Sequence, residues 1–206
     1  MPKDKTATHE KILLSLKHEF IEHGYEKASL QNIAKNVGIT PAGLYRHFPS
    51  KEAMFTAMVE PTTSEFFRNC RLSMQETYTH LDDADFWNSF NTFRAAKNRE
   101  LLRYMYDHLD VFKMLLLGSK GTSYENFQDQ LIKLEVDGIK DMIHALEKRG
   151  LPNNKISDNE LHILAAMFIT AICETIKQEY PRESAFKYAE FIGQMLYPGI
   201  KVVLGF

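Results

Sequence analysis

The chain has 206 residues, 25 of them basic and 27 acidic, which gives a formal net charge of −2 at pH 7. This length allows one sizeable core, or a small domain joined to a larger one, and the composition is that of an ordinary globular protein. A net charge near zero excludes a polycation that binds nucleic acid with its whole surface, so any such contact must be local.

Neither a membrane span nor a secretion signal is predicted. No apolar run reaches the ~18–20 residues that cross a bilayer, and the first ten residues lack the apolar centre of a signal peptide. We therefore expect a cytoplasmic protein. Cys70 and Cys173 lie far apart within helical patterns, and we expect them to be buried, reduced thiols.

Apolar residues recur with helical spacing along almost the whole chain, so the predicted fold class is all-α. In the first helix, Ile12, Leu16 and Phe20 lie on one face, and Gly24 is predicted to end it. Ser29 is expected to cap a short second helix that ends at Gly38.

The third and fourth helices follow directly. Thr40 before Pro41 is a helix-start signal, and the pattern predicts a third helix of about eight residues through Phe48. A long fourth helix is predicted after Ser50. Pro61 lies inside it and should kink or split it near residue 60.

The remaining patterns predict helices over residues 82–96, 98–117, 122–149, 157–180 and 181–204. Thr122 with Glu125, and Ser157 with Glu160, have the spacing of capping boxes. The segment GSKGTS at 118–123 is predicted to be a loop.

Two short helices joined by a tight, glycine-containing turn, at 29–37 and 40–48, are typical of a helix-turn-helix. From Lys27 to Lys51 the chain has four basic side chains, one histidine and no Asp or Glu. DNA phosphates repel carboxylates, whereas lysine and arginine displace counterions from them. The pattern therefore favours a stretch that lies against DNA, although two packed helices of a bundle are the simpler alternative.

The stretch LQNIAKNVGITPAGLYRHFPSKEAMF, residues 30–55, resembles the signature of the tetracycline-repressor-like (TetR) family of transcriptional regulators. Its elements IA, VGI, LY-HF and SKE keep both their identity and their spacing, over about residues 9–60. The resemblance implies a helix-turn-helix DNA-binding domain at 1–55, with the motif itself at 29–48. It also implies a helical effector-binding and dimerisation domain at 56–206.

The resemblance further implies that the third helix enters the major groove. Tyr45, His47 and Lys51 match phosphate-clamping positions of the family, and Gln31 matches a base-contact position that can pair with adenine. Arg46 can reach a guanine or only a phosphate. Because few side chains here can read bases, DNA shape should carry much of the specificity. The candidate DNA contacts are Ser29, Gln31, Thr40, Pro41, Ala42, Gly43, Tyr45, Arg46, His47 and Lys51, while Leu44 and Phe48 are expected in the core.

The rest of the chain holds most of the aromatic residues. Core packing is one explanation for these aromatic residues. The family resemblance, however, implies an enclosed pocket in this domain, and a high density of aromatic residues suits a small apolar or aromatic effector. His108 is a candidate polar anchor, with a surface or core histidine as the alternative. The candidate pocket residues are Phe66, Phe86, Trp87, Phe90, Tyr104, His108 and Phe127.

The segment 163–172 is apolar on all sides, so one side must face something beyond its own domain. Together with apolar residues of the last helix, such as Phe191 and Met195, it is expected to form a homodimer interface from the helices near 158–180 and 182–204. A fully buried central helix is the alternative.

Other functional classes find little support. GSKGTS lacks the first glycine and the hydroxyl residue of a phosphate-binding loop, and no catalytic motif or metal-ligand spacing is present. We therefore predict no enzyme activity, no metal and no cofactor. Sensing by cysteine oxidation remains an alternative to small-molecule sensing, and the sequence does not separate a repressor from an activator.

Overall fold

The computed structural model describes residues 5–151 and 154–205. Within these ranges the chain is helical and has no strand, which confirms the predicted all-α class. The helices are, in chain order, α1 Lys5–Lys27, α2 Leu30–Val37, α3 Pro41–Leu44, α4 Lys51–Thr79, α5 Ala84–Asp107, α6 Leu109–Leu117, α7 Phe127–Lys148, α8 Asp158–Lys177 and α9 Arg182–Val203.

The described chain divides into two compact units. The first contains the residues through Ser64 together with His108–Asn126, and the second contains Glu65–Asp107 and the residues from Phe127 onward. The first unit thus extends past the predicted domain boundary at residue 55. It also takes in α6 and the loop that follows, which the whole of α5 separates from α4 in the sequence.

The core of the first unit contains the predicted face of α1. Ile12, Leu16 and Phe20 are at most 1% exposed. The Phe20 ring meets the Phe55 ring edge to face, at 5.2 Å between centroids. Aromatic pairs prefer this arrangement because the positive ring edge faces the negative ring face. The amphipathic pattern of α1 therefore places this helix as the sequence predicted.

α6 packs against α1 within the first unit. The Lys17 ammonium lies 2.8 Å from the Asp110 carboxylate, and the Tyr25 backbone N–H donates to the Gly118 carbonyl at 2.7 Å. The backbones come so close here that a Cβ on Gly24 would lie 3.3 Å from the Gly118 Cα. Gly24 has φ 67° and ψ 173°, a conformation almost restricted to glycine, and it interrupts α1 as predicted.

The second unit has an aromatic-rich core. Phe86, Trp87 and Phe90 are buried with Leu146 and Leu161 in one cluster. The Trp87 indole N–H donates to the Leu81 carbonyl at 3.1 Å, so the buried polar atom of this side chain has a partner. For these aromatic residues core packing is therefore the main role.

Helix α8 begins at the predicted capping box. The Ser157 hydroxyl accepts from the Glu160 N–H, and the Glu160 side chain accepts from the Ser157 N–H at 2.8 Å. By length and composition α8 is apolar enough to cross a membrane, a property that core helices of globular proteins share. It packs against α7 and α9.

Three predicted helix boundaries are wrong. α3 ends at Leu44 rather than Phe48, because the chain tightens there: the Arg46 N–H donates to Gly43, and the His47 N–H to Leu44. α5 continues through residue 97, where the sequence has neither glycine nor proline, and ends at Asp107. α7 begins at Phe127, because the Thr122 hydroxyl bonds the Ser119 carbonyl at 2.6 Å instead of capping the helix.

The split predicted at Pro61 is also absent, since α4 runs from Lys51 to Thr79 with this proline inside it. Proline removes one backbone donor from the helix. In the same turn the Thr63 hydroxyl contacts the carbonyl oxygens of Val59 and Glu60, at 2.9 and 3.1 Å. These are bonds of a threonine hydroxyl back to its own helix, and they do not reach the Ala57 carbonyl, which is the one that loses its backbone donor at Pro61.

Replacing Gly24 with alanine should destabilise the first unit strongly. We expect Gly24→Ala to lower the free energy of unfolding by ~1–3 kcal/mol, the cost of a non-glycine residue in this backbone region. Gly38→Ala is the matched control. Gly38 also has positive φ, at 74°, but nothing lies within 4 Å of an added Cβ. Urea unfolding followed by circular dichroism measures both, and an equal or smaller loss for Gly24→Ala would contradict the close approach to Gly118.

Candidate nucleic-acid interface

The turn between α2 and α3 is fixed by caps on both sides. The Ser29 hydroxyl accepts from the Asn32 N–H at 3.3 Å and begins α2. Gly38 ends α2 in the left-handed conformation, with φ 74° and ψ 36°. The Thr40 hydroxyl accepts from the Gly43 N–H at 3.1 Å and begins α3, with Pro41 in its first turn. The predicted helix-turn-helix is therefore present.

The candidate contacts differ in exposure. The predicted core residues Leu44 and Phe48 are buried, at 0% and 7% exposed. Tyr45 is 49% exposed, so its ring lies outside the core. Ser29, Gly43, His47 and Lys51 are half-buried. The exposed candidates are Gln31, Thr40, Pro41, Ala42, Tyr45 and Arg46.

Lys51 has partners within the protein. Its ammonium donates to the Glu26 carbonyl oxygen at 3.3 Å and lies 4.9 Å from the centroid of the Tyr25 ring. Burial lowers the pKa of Lys51, and the Glu19 carboxylate partly offsets this shift. These contacts hold the Lys51 ammonium in one position at the first turn of α4.

The acidic residues that flank the acid-free stretch are tied to partners. The buried Glu19 carboxylate accepts from the Ser29 N–H at 2.8 Å. Glu26 lies 3.4 Å from the Lys120 ammonium, and Glu52 accepts from the Ser123 N–H at 3.1 Å. Each of these carboxylates therefore has a donor, which reduces its repulsion of a nearby phosphate.

His9 is a residue of this region that the sequence reasoning missed. Its ring lies 5.7 Å from the His47 ring and stacks on Phe48 at 5.5 Å, measured between centroids. α1 therefore supplies a polar ring next to a candidate phosphate contact. No motif indicates this, because His9 lies on α1 and His47 follows α3, far away in the sequence.

The candidate pocket residues do not meet in one place. Phe66 lines a cavity of about 60 Å³ in the second unit, and Phe90 lines a neighbouring one of about 30 Å³. Tyr104 donates its hydroxyl to the Glu65 carboxylate at 2.9 Å, and Phe127 is buried against Phe67. Phe86 and Trp87 belong to the core cluster, and His108 is an exposed residue of the first unit.

Cys70 and Cys173 both line the larger cavity and are buried as free thiols, as predicted. Burial raises the pKa of each thiol to about 12. Because the reactive form of cysteine is the thiolate, both are poor nucleophiles at neutral pH. This weakens the alternative of sensing through cysteine oxidation. Among the described residues there is no group of three metal-ligating side chains.

Known proteins resemble this chain in sequence and in fold. The family model described as bacterial regulatory proteins, tetR family, matches residues 12–58, which contain α2, its turn and α3. The nucleoid occlusion factor SlmA of Mannheimia succiniciproducens is 36% identical over 164 residues, covering 79% of this chain and 69% of that protein. The chain belongs to the TetR family. It is therefore a DNA-binding transcriptional regulator rather than an enzyme.

Solved structures of the TetR family share the fold. MexZ, a repressor of Pseudomonas aeruginosa, superposes with a TM-score of 0.62 at 16% identity, covering 98% of this chain and 96% of MexZ. PfmR of Thermus thermophilus superposes with a TM-score of 0.58 at 19% identity, covering 90% of this chain and 96% of PfmR. At such identities the likeness concerns the fold alone.

Removing the Lys51 charge should weaken binding to every DNA sequence alike. We expect Lys51→Gln to reduce the slope of log affinity against log salt by about one unit for each chain bound, since each lost phosphate contact retains one counterion. Titrations of specific and random duplexes at several salt concentrations measure this. Lys148→Gln removes the same charge from an exposed position in the second unit and should leave the slope unchanged. An unchanged slope for Lys51→Gln would remove this residue from the interface.

Gln31→Ala tests base recognition. We expect it to cost about 1–3 kcal/mol on the specific site and to relax discrimination at one base pair in each half-site. Asn36→Ala removes an exposed amide from the same helix, about 140° around its axis, and should have little effect. Competition binding with operators mutated at single base pairs measures the discrimination of each variant. An equal loss on specific and random DNA would assign Gln31 to the phosphate backbone.

Proposed function

We propose that this protein is a repressor that works in the cytoplasm, binds a near-palindromic operator as a homodimer and leaves the DNA when a small apolar effector binds. The observation that carries the proposal is the capped helix-turn-helix within a stretch, from Lys27 to Lys51, that contains no Asp or Glu. MexZ and NalD of Pseudomonas aeruginosa, two proteins with the same fold, are described as repressors, which favours repression over activation.

An exposed apolar face on α8 and α9 supports the homodimer. Ile163 and Met167 lie one turn apart on α8, and Phe191 and Met195 lie one turn apart on α9. All four are between 54% and 65% exposed. Exposed large apolar side chains on two helices that pack together are unfavourable in water, and a two-fold axis would bury them against a second copy.

The effector part of the proposal rests on the second unit. Its cavity of about 60 Å³ is lined mostly by apolar side chains, including Phe66, Leu101 and Phe168. Apolar cavities of helical bundles with a few polar groups are common ligand sites. The neutral state of the two cysteine thiols favours an effector that binds without forming a covalent bond.

The proposal is tested by enriching fragmented genomic DNA on the purified protein and sequencing what is retained. We expect a small number of near-palindromic sites upstream of genes, with half-sites about 34–36 Å apart or a multiple of this distance. Expression of those genes should rise when the gene for this protein is deleted. Falling expression would show an activator, and retained fragments without a shared sequence would contradict operator binding.

The dimer interface has its own test. Met167→Glu should give a monomer at micromolar concentration in sedimentation experiments, because the dimer would bury an unpaired carboxylate. Leu72→Glu is the matched control, since Leu72 on α4 is 55% exposed and Met167 is 54% exposed. We expect Leu72→Glu to remain dimeric. A dimeric Met167→Glu, or a wild-type monomer that binds its operator with full affinity, would overturn this arrangement.

Nucleoid occlusion is a second candidate function. The relationship to the SlmA protein of Mannheimia succiniciproducens extends over 79% of this chain, well beyond the candidate DNA contacts. If the protein acts in nucleoid occlusion, its overproduction should move or block division septa relative to the nucleoid without any added effector. Normal septum placement, together with derepression of a few genes on deletion, would favour the operator-binding repressor.

A further inference from the structure

Two neighbouring cavities in the second unit share part of their walls. The larger, of about 60 Å³, and the smaller, of about 30 Å³, are both lined by Met74, Arg94 and Glu135. Each is smaller than the ~150 Å³ apolar cavity that holds benzene in another protein. Neither can therefore accept an effector of ordinary size unless a side chain moves.

The shared wall has a fixed part and a movable part. Arg94 and Glu135 form a hydrogen-bonded ion pair at 3.0 Å, and each side chain is only 14% exposed. Separating a buried pair leaves two uncompensated charges, which makes this part of the wall resistant to change. Met74 has three rotatable bonds and no polar group, so it can change rotamer at small cost.

Gly138 on α7 makes room for Met74. A Cβ at this position would lie 2.6 Å from the Met74 sulfur and 2.9 Å from its methyl carbon. Glycine inside a helix is less favourable than alanine, so its presence here is accounted for by this contact. The Gly138 carbonyl accepts from the Tyr78 hydroxyl at 2.7 Å, which holds the α7 backbone beside the smaller cavity.

The charge of the lining indicates the chemistry of the ligand. Among the described residues that line the two cavities, the charged ones are Arg94 and Glu135, and they neutralise each other. Burial raises the pKa of Tyr78 to about 12 and also raises that of Tyr197, so both phenols are neutral at pH 7. A charged ligand would find no unpaired counter-charge here.

We propose that Met74 is a gate between two halves of one effector pocket, and that the effector is an elongated, uncharged apolar molecule that displaces the Met74 side chain and occupies both halves. This inference rests on the proposed effector response, and it identifies the chemical class of the effector. Met74 is a specificity-determining residue in this account, since its position decides how long a ligand the pocket accepts.

The test is displacement of the neutral fluorescent dye N-phenyl-1-naphthylamine from the full-length protein by straight-chain 1-alkanols of six to sixteen carbons. For wild type we expect dye binding and displacement by alkanols, with fatty acids and alkylamines of equal length displacing the dye much more weakly. In Met74→Ala the affinity for hexadecanol should rise by about tenfold more than that for hexanol, because only the longer chain needs both halves of the pocket.

Met105→Ala is the matched control. Met105 lines the larger cavity but not the smaller one, so this variant removes the same side chain without joining the two. It should not favour long alkanols over short ones. Gly138→Ala should weaken binding of long alkanols, because the added methyl group pushes Met74 into the pocket. The double variant Met74→Ala/Gly138→Ala should regain the long-chain affinity, which a general loss of folding would not allow.

Three results would overturn the gate: equal changes for all chain lengths in Met74→Ala, the same length dependence in Met105→Ala, or tighter binding of fatty acids than of alkanols. A wild-type protein that binds neither dye nor alkanol would also overturn it. These experiments contain no DNA, so their failure leaves the operator-binding repressor standing. Conversely, if no operator is found, the alkanol measurements can still show that Met74 controls the length of ligand that binds.

Discussion

The chain reversal between α2 and α3 is the constraint on which the function depends. Gly38 adopts a left-handed conformation that side-chain-bearing residues avoid, and the Ile39 N–H returns to the Ala34 carbonyl at 3.0 Å. Thr40 then begins the next helix at once. Because these local bonds set the direction of α3, the short helix can present its first residues to a groove although it has only a single turn.

Electrostatics complements this geometry. A protein with a net charge of −2 binds a polyanion only where its carboxylates are removed or occupied. Carboxylates are absent from the stretch from Lys27 to Lys51. Those of Glu19, Glu26 and Glu52, close to it in the sequence, are occupied by hydrogen bonds or an ion pair. Two of these partners, Lys120 and Ser123, come from the loop after α6. The first unit therefore needs this later segment of the chain for its charge distribution as well as for its packing.

Several local features of the fold were predictable from the sequence, and the long-range ones were not. Caps at Ser29, Thr40 and Ser157 and the break at Gly24 depend on residues within a few positions, so residue type and spacing determine them. The association of α6 with the first unit depends on the close approach of Gly24 and Gly118, for which neither glycine alone gives a signal. Likewise, aromatic density predicted a pocket around Phe86 and Trp87, but these two rings fill the core, and the larger of the two neighbouring cavities is lined by other aromatic residues, such as Phe66, together with aliphatic and sulfur-containing side chains. Hydrophobicity indicates which residues are buried, but it does not indicate where their packing leaves a cavity.

The central claim is that α3, held by the turn at Gly38, enters the major groove of DNA. The most direct measurement is methylation protection of an operator by dimethyl sulfate, which attacks guanine N7 in the major groove and adenine N3 in the minor groove. The account predicts two patches of protected guanines on one face of the duplex, centred one helical turn apart, with adenines between them still reactive. Protection confined to adenine N3, or a single patch in an otherwise saturated complex, would contradict it.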